Sequence, residues 1–96
     1  MDHSRRIAAL RRKITRAGLS GLLVTHLPDI RYLCGFTGSS AALAITRRAA
    51  RMFTDGRYIA QAREEVKASE IEIVARNAAI AAVEWLAAQV TPQPGS

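Results

Sequence analysis

Two short apolar runs, Ala41 to Thr46 and Arg51 to Thr54, are separated only by Arg47-Arg48-Ala49-Ala50. Four residues can reverse a chain, but a parallel connection needs about a dozen or more, so the runs are predicted to pair as an antiparallel hairpin. A β-sheet is therefore the organising element, and the remaining segments must cover its faces.

Upstream, Ser4 is placed to cap a helix whose apolar positions Ile7, Leu10, Ile14 and Ala17 follow three-and-four spacing, with Gly18 as a left-handed stop. Leu19 to Thr25, with Leu22, Leu23 and Val24 between Gly21 and Pro28, reads as a short strand buried on both faces. Pro28 suits the first turn of a short helix through Ile30, Tyr32 and Leu33, where its missing N–H leaves no intrahelical bond unmade, and Gly35 ends that helix. Gly35 to Ser40 combines two glycines, small residues and one aromatic, so it reads as a loop leading into the hairpin.

Downstream, Asp55-Gly56 breaks the second strand of the hairpin. Arg57 to Lys67 then sets Ile59, Ala62, Arg63 and Val66 along one helical stripe, with the arginine at its margin. Ile71 to Ala75 is predicted as a further strand, and a last helix over about Ala78 to Gln89 is expected to bury Ile80, Val83, Ala87 and part of Trp85 and Leu86. The predicted class is α/β, a mixed sheet flanked by helices, because a hairpin stands beside crossover connections. Residues 1–90 form one domain in this reading. Residues 91–96, with Pro92 and Pro94, read as a linker or tail.

The 96 residues are 49% hydrophobic, enough for one core but leaving little room for a deep enclosed site. The net charge of +6 is concentrated. The first sixteen residues hold six basic side chains against Asp2, whereas the remaining eighty hold eight against seven acidic ones. That basicity is one helix face, and neither a nucleic-acid nor a membrane partner is expected; no apolar run approaches the ~20 residues of a bilayer span. A basic start without a following apolar run is not a signal peptide. The single Cys34 has no intramolecular disulfide partner, so a reducing, cytoplasmic setting is expected, with the thiol as a small buried hydrophobe.

Two motifs each keep two readings. In Phe36-Thr37-Gly38-Ser39 the glycine permits a tight connection while Phe36 fills a core gap. Alternatively, the loop faces a catalytic domain or neighbouring subunit, and Phe36 lines the mouth of a substrate pocket. In Asp55-Gly56-Arg57-Tyr58, Asp55 caps free amides and Arg57 pairs with a carboxylate; alternatively, the Arg57 fork holds an acidic group of a substrate or partner domain with Tyr58 packed alongside. Trp85 reads as core rim.

Arg6-Ile7 through Gly21-Leu22-Leu23-Val24, then Asp29-Ile30-Arg31-Tyr32-Leu33-Cys34-Gly35-Phe36-Thr37-Gly38-Ser39, then Phe53-Thr54-Asp55-Gly56-Arg57-Tyr58 resemble, in order and spacing, the amino-terminal domain of the creatinase and prolidase family of Xaa-Pro aminopeptidases and dipeptidases. The resemblance implies a domain with a ribonuclease H-like motif, followed in full enzymes by a pita-bread catalytic domain. That second domain would hold two divalent metals (manganese, cobalt or zinc) and cleave peptides with proline at the second position. It also implies a homodimer. A dimetal centre spaced about 3.5–4 Å needs several bridging carboxylates. Asp2, Asp29, Asp55, Glu64, Glu65, Glu70, Glu72 and Glu84 are scattered, and His3 and His26 share no ligand spacing, so no cofactor is expected in this chain. Its expected role is a non-catalytic domain that shapes substrate access and subunit contacts. A stand-alone binding or oligomerisation module of the same fold is the alternative.

Overall fold

The computed structural model describes residues 2–90; the predicted linker at 91–96 lies outside the described residues. The chain runs α1 (His3–Arg16), β1 (Gly21–Val24), α2 (Leu27–Cys34), β2 (Ala41–Thr46), β3 (Ala50–Thr54), a 3-10 turn (Gly56–Tyr58), α3 (Ile59–Glu65), β4 (Glu70–Ile73) and α4 (Ala78–Val90). The predicted hairpin is present: β2 and β3 pair antiparallel with Leu43 opposite Met52. β1 adds antiparallel to β2, and β4 adds parallel to β3 after the α3 crossover, giving one mixed sheet in the order β1-β2-β3-β4.

Strand alternation divides the core. Along β2, Leu43 and Ile45 join a cluster with Ile7 and Ile14 of α1, Ile30 and Leu33 of α2, Ala62 of α3, and Met52. Ala42 and Ala44 point the other way and meet Ala78, Ala81 and Ala82 of α4 beside Phe53. β1 serves both sides as expected, Leu22 and Val24 on the first and Leu23 on the second. Each large side chain fully withdrawn from water contributes about 1.5–3 kcal/mol, so the first face carries most of the hydrophobic stabilisation.

Four sequence expectations are corrected. Asp2, not Ser4, caps α1: its Oδ1 accepts from the Arg5 N–H at 3.0 Å. The helix begins at His3, so Ser4 already lies inside its first turn, and the Asp2 carboxylate also complements the positive end of the helix dipole. Ala17, assigned to the buried stripe, is the exposed C-cap. The segment after Asp55 begins as the 3-10 turn, and of its predicted stripe Ala62 is buried and Val66 half-buried but Ile59 is exposed, with Arg63 at the margin exposed as expected.

The fourth correction concerns α4. Ile80 and Val83 are 56% and 51% exposed, Ala87 is exposed, and the buried stripe is Ala78, Ala81 and Ala82 with Trp85 and Leu86 at its rim. Methyl-sized side chains let the helix approach the alanines of β2, which branched side chains would hold away. Gly21 belongs to the same close approach: a Cβ there would lie 3.1 Å from the Ile45 carbonyl oxygen and 3.1 Å from a Leu86 methyl.

Candidate functional site

The loop between α2 and β2 starts where α2 is forced to stop. Gly35 adopts φ +88°, and its N–H donates to the Arg31 carbonyl at 2.9 Å. A Cβ at Gly35 would sit 2.8 Å from the Glu65 carbonyl oxygen, so both the backbone angle and the space require glycine. Beyond it Phe36 turns into the core, 1% exposed, as the core-filling reading expects. Its ring meets Tyr58 edge-to-face at a centroid distance of 5.7 Å and an interplanar angle of 89°. Gly38 lies against that pair. A Cβ there would fall 2.3 Å from the Phe36 ring and 3.1 Å from the Tyr58 ring.

Polar contacts hold the loop from the α3 side. The Thr37 N–H donates to Glu65 Oε1 at 2.8 Å, and the Thr37 hydroxyl lies 2.9 Å from each carboxylate oxygen. Gln61 Nε2 donates to Thr37 Oγ1 at 3.0 Å and to Glu65 Oε1 at 3.2 Å. Burial by itself would raise the Glu65 carboxyl, but the Thr37 and Gln61 donors outweigh it and hold the group below its ordinary value. Ser39 Oγ lies 2.6 Å from the Tyr58 hydroxyl, and this contact is the main reason the phenol is held below its ordinary value.

The turn after β3 supplies the other half. Asp55 Oδ1 accepts from the Arg57 N–H at 3.0 Å, while the Arg57 fork donates to both Asp55 oxygens at 2.9 Å each. The Arg57 contact holds the Asp55 carboxyl down at about 2. The capping and pairing roles predicted for these two residues are thus both present, within the motif itself. Arg57 also lies 5.1 Å from the centroid of the Tyr58 ring. Beneath the loop, the buried Thr54 hydroxyl donates to the Ser40 carbonyl at 2.5 Å, pinning the end of the loop to β3.

All seven residues singled out in the sequence, Phe36, Thr37, Gly38, Ser39, Asp55, Arg57 and Tyr58, therefore belong to one contiguous cluster. Tyr58 is its hinge, touching Phe36 and Ser39 on one side and Arg57 on the other. Glu65 and Gln61 were missed. Their one sequence signal is the four-residue spacing that sets them on a common face of α3, and their partner Thr37 is remote in sequence. An open depression of about 360 Å³ lies beside the loop, with Pro28, Arg31, Thr37 and Ser39 among its walls. Hydroxyls, an amide and a guanidinium on its border can hydrogen-bond a polar ligand.

The dimetal centre implied by the sequence resemblance does not fit these residues. Among the described residues no three His, Cys, Asp or Glu side chains come together as ligands. Their carboxylates are dispersed to other tasks, Asp55 on Arg57, Glu65 on Thr37, Glu70 and Glu72 on Arg51, and Glu84 on Arg76. Cys34 is fully buried, and that burial raises its thiol above the ordinary value despite contacts that lower it. Among the described residues no helix is long and apolar enough to cross a membrane.

Comparison with known proteins agrees with this geometry. An uncharacterized peptidase of Bacillus subtilis, YqhT, is 38% identical over 66 residues, covering 69% of this chain but only 19% of its own length. The amino-terminal, creatinase/prolidase-like domain of a Corynebacterium diphtheriae protein described as a metallopeptidase superimposes with a TM-score of 0.77 at 46% identity, covering 82% of this chain and 64% of that one. An Xaa-Pro aminopeptidase structure from Streptococcus pyogenes gives 0.72 at 34%, covering 76% and 57%. The model of the creatinase/prolidase N-terminal domain matches residues 6–94. The chain belongs to the creatinase/prolidase amino-terminal domain family.

Proposed function

We propose that this chain is the non-catalytic amino-terminal domain of an Xaa-Pro metallopeptidase, and that the Phe36–Ser39 loop with Asp55, Arg57 and Tyr58 borders the substrate entrance of a catalytic domain encoded beyond Ser96. The observation that carries the reading is the family match over residues 6–94 in a chain that spans 19% of its B. subtilis relative. The division of labour follows: two divalent metals, manganese, cobalt or zinc, reside in the pita-bread domain, and peptides with proline second are the substrates. Homodimerisation, with this loop near the partner's entrance, and a cytoplasmic setting belong to the same proposal. The braced loop suits such a role, because Thr37 is tied to Glu65 and Gln61 of α3 and Ser39 to Tyr58 of the 3-10 turn, so the loop can present a fixed edge to a passing peptide.

Extending the reading frame and assaying the encoded protein with Xaa-Pro peptides tests the proposal. The expected result is metal-dependent cleavage in which Tyr58→Phe raises KM several-fold and changes kcat little, as loss of a positioning contact does. A frame that continues into no metal-ligand set, or a full-length protein inert toward such peptides, contradicts it. A stop codon directly after Ser96 supports the stand-alone module instead.

A further inference from the structure

The structure places one strongly basic surface far from the loop just described. Arg11, Arg12 and Arg16 lie with Thr15 on one side of α1 and border a shallow depression. Arg47 and Arg48 form the tip of the β2-β3 hairpin beside a second depression. The two are at the same end of the molecule, because the Arg11 Nε donates to the Thr46 carbonyl at 2.9 Å and Gly21, a few residues past α1, pairs with Thr46.

The ion pairs of the described residues leave this surface without counter-charge. Asp2 is taken by Arg5, Asp29 by His26, Asp55 by Arg57, Glu70 and Glu72 by Arg51, and Glu84 by Arg76. Arg12, Arg16, Arg47 and Arg48 are in none of these pairs. Arg12 and Arg16 are like charges four residues apart on a helix, an arrangement that is destabilising rather than stabilising. The helix dipole rationalises Arg16 in the last turn, but it acts only within that turn and has no bearing on the hairpin tip.

From this we infer that the Arg11/Arg12/Arg16 face of α1 and the Arg47-Arg48 tip together form a docking surface for an acidic, Asp/Glu-rich segment of a partner polypeptide. Arginine is the residue suited to carboxylates, since its planar fork donates two parallel hydrogen bonds. Single-stranded nucleic acid fits less well, because base stacking needs aromatic rings, and Phe36, Phe53, Tyr32, Tyr58 and Trp85 all lie outside both basic segments. Arg11 differs from the other four in also having a structural role, through Thr46.

Fluorescence anisotropy with a labelled octaglutamate peptide tests the inference, run at about 20 mM and about 200 mM salt, where screening lengths differ. The variant R12Q/R16Q/R47Q/R48Q keeps Arg11 and should bind the peptide about tenfold more weakly at low salt. A control, R5Q/R31Q/R63Q/K67Q, loses the same number of charges elsewhere and should bind more tightly than the patch variant. Thr15→Glu adds a carboxylate within reach of Arg11 and Arg12, so it should weaken binding of the peptide. Equal losses in patch and control variants, no peptide binding at low salt, or tighter patch-dependent binding of a charge-matched octathymidylate would each overturn the assignment.

Discussion

The two faces of the sheet are built on opposite principles. On the face covered by α1, α2 and α3, large branched and aromatic side chains fill the space, with Ile7, Ile30, Phe36, Leu43, Ile45 and Met52 all fully buried. On the face covered by α4, alanines meet alanines, Phe53 is the one large fully buried side chain among the described residues, and Trp85 closes the rim between Phe53 and Arg51. The first face is stabilised by volume and the second by close approach. Each should accordingly fail under the opposite change.

Leu43→Ala removes a buried side chain from the bulky face and should destabilise the domain by about 2–5 kcal/mol, read as a drop in the urea midpoint. Ala82→Leu is the inverse experiment: its methyl is fully buried between α4 and the sheet, so enlargement should cost about 1–3 kcal/mol by overpacking. If Ala82→Leu is neutral, the alanine interface is looser than the structure has it. Gly38→Ala sets a Cβ against the Phe36 and Tyr58 rings and should fall in a similar range, about 1–3 kcal/mol. Near-ultraviolet circular dichroism should show the loss of fixed tyrosine packing. Ile80→Ser and Val83→Ser should change stability by no more than about 0.5 kcal/mol; a loss of several times that would restore the sequence-based assignment of the buried face.

The smallest effect is confined to acid. Asp55 is held near 2, below its unfolded value of about 3.9. Because the folded-state value is the lower one, the contribution is fully present above about pH 4 and is lost as pH falls toward 2. The stability difference between the wild type and Asp55→Asn should therefore shrink over that interval and stay constant from pH 5 to 8. A carboxyl resonance titrating near 4 would break the Asp55–Arg57 pairing.

The same contrast explains what the sequence disclosed. The hairpin, the Gly35 stop and the bulky face were legible because four-residue spacing, a glycine after a short apolar helix, and isoleucines at helical intervals each have one physical reading. The buried face of α4 was not. Ala78, Ala79, Ala81, Ala82 and Ala87 stand nearly all around the helix, so the pattern marks no single face, and Ile80 and Val83 are too large to face the alanines of β2. Of the candidate cluster, the residues adjacent in sequence were found together, while Glu65 and Gln61 were not, since their role depends on α3 lying beside the loop. The cap of α1 is not legible in the same way, because Asp2 and Ser4 are both capping residue types and the backbone, which is helical from His3 onward, decides which of them stands outside the helix.

One measurement bears on the account most directly. The 96-residue chain, purified alone and supplied with manganese, is assayed against Xaa-Pro peptides alongside the full-length protein from the extended reading frame. The account predicts no turnover above background for the chain and metal-dependent turnover for the full-length protein. Robust metal-dependent hydrolysis by the 96 residues alone would contradict it.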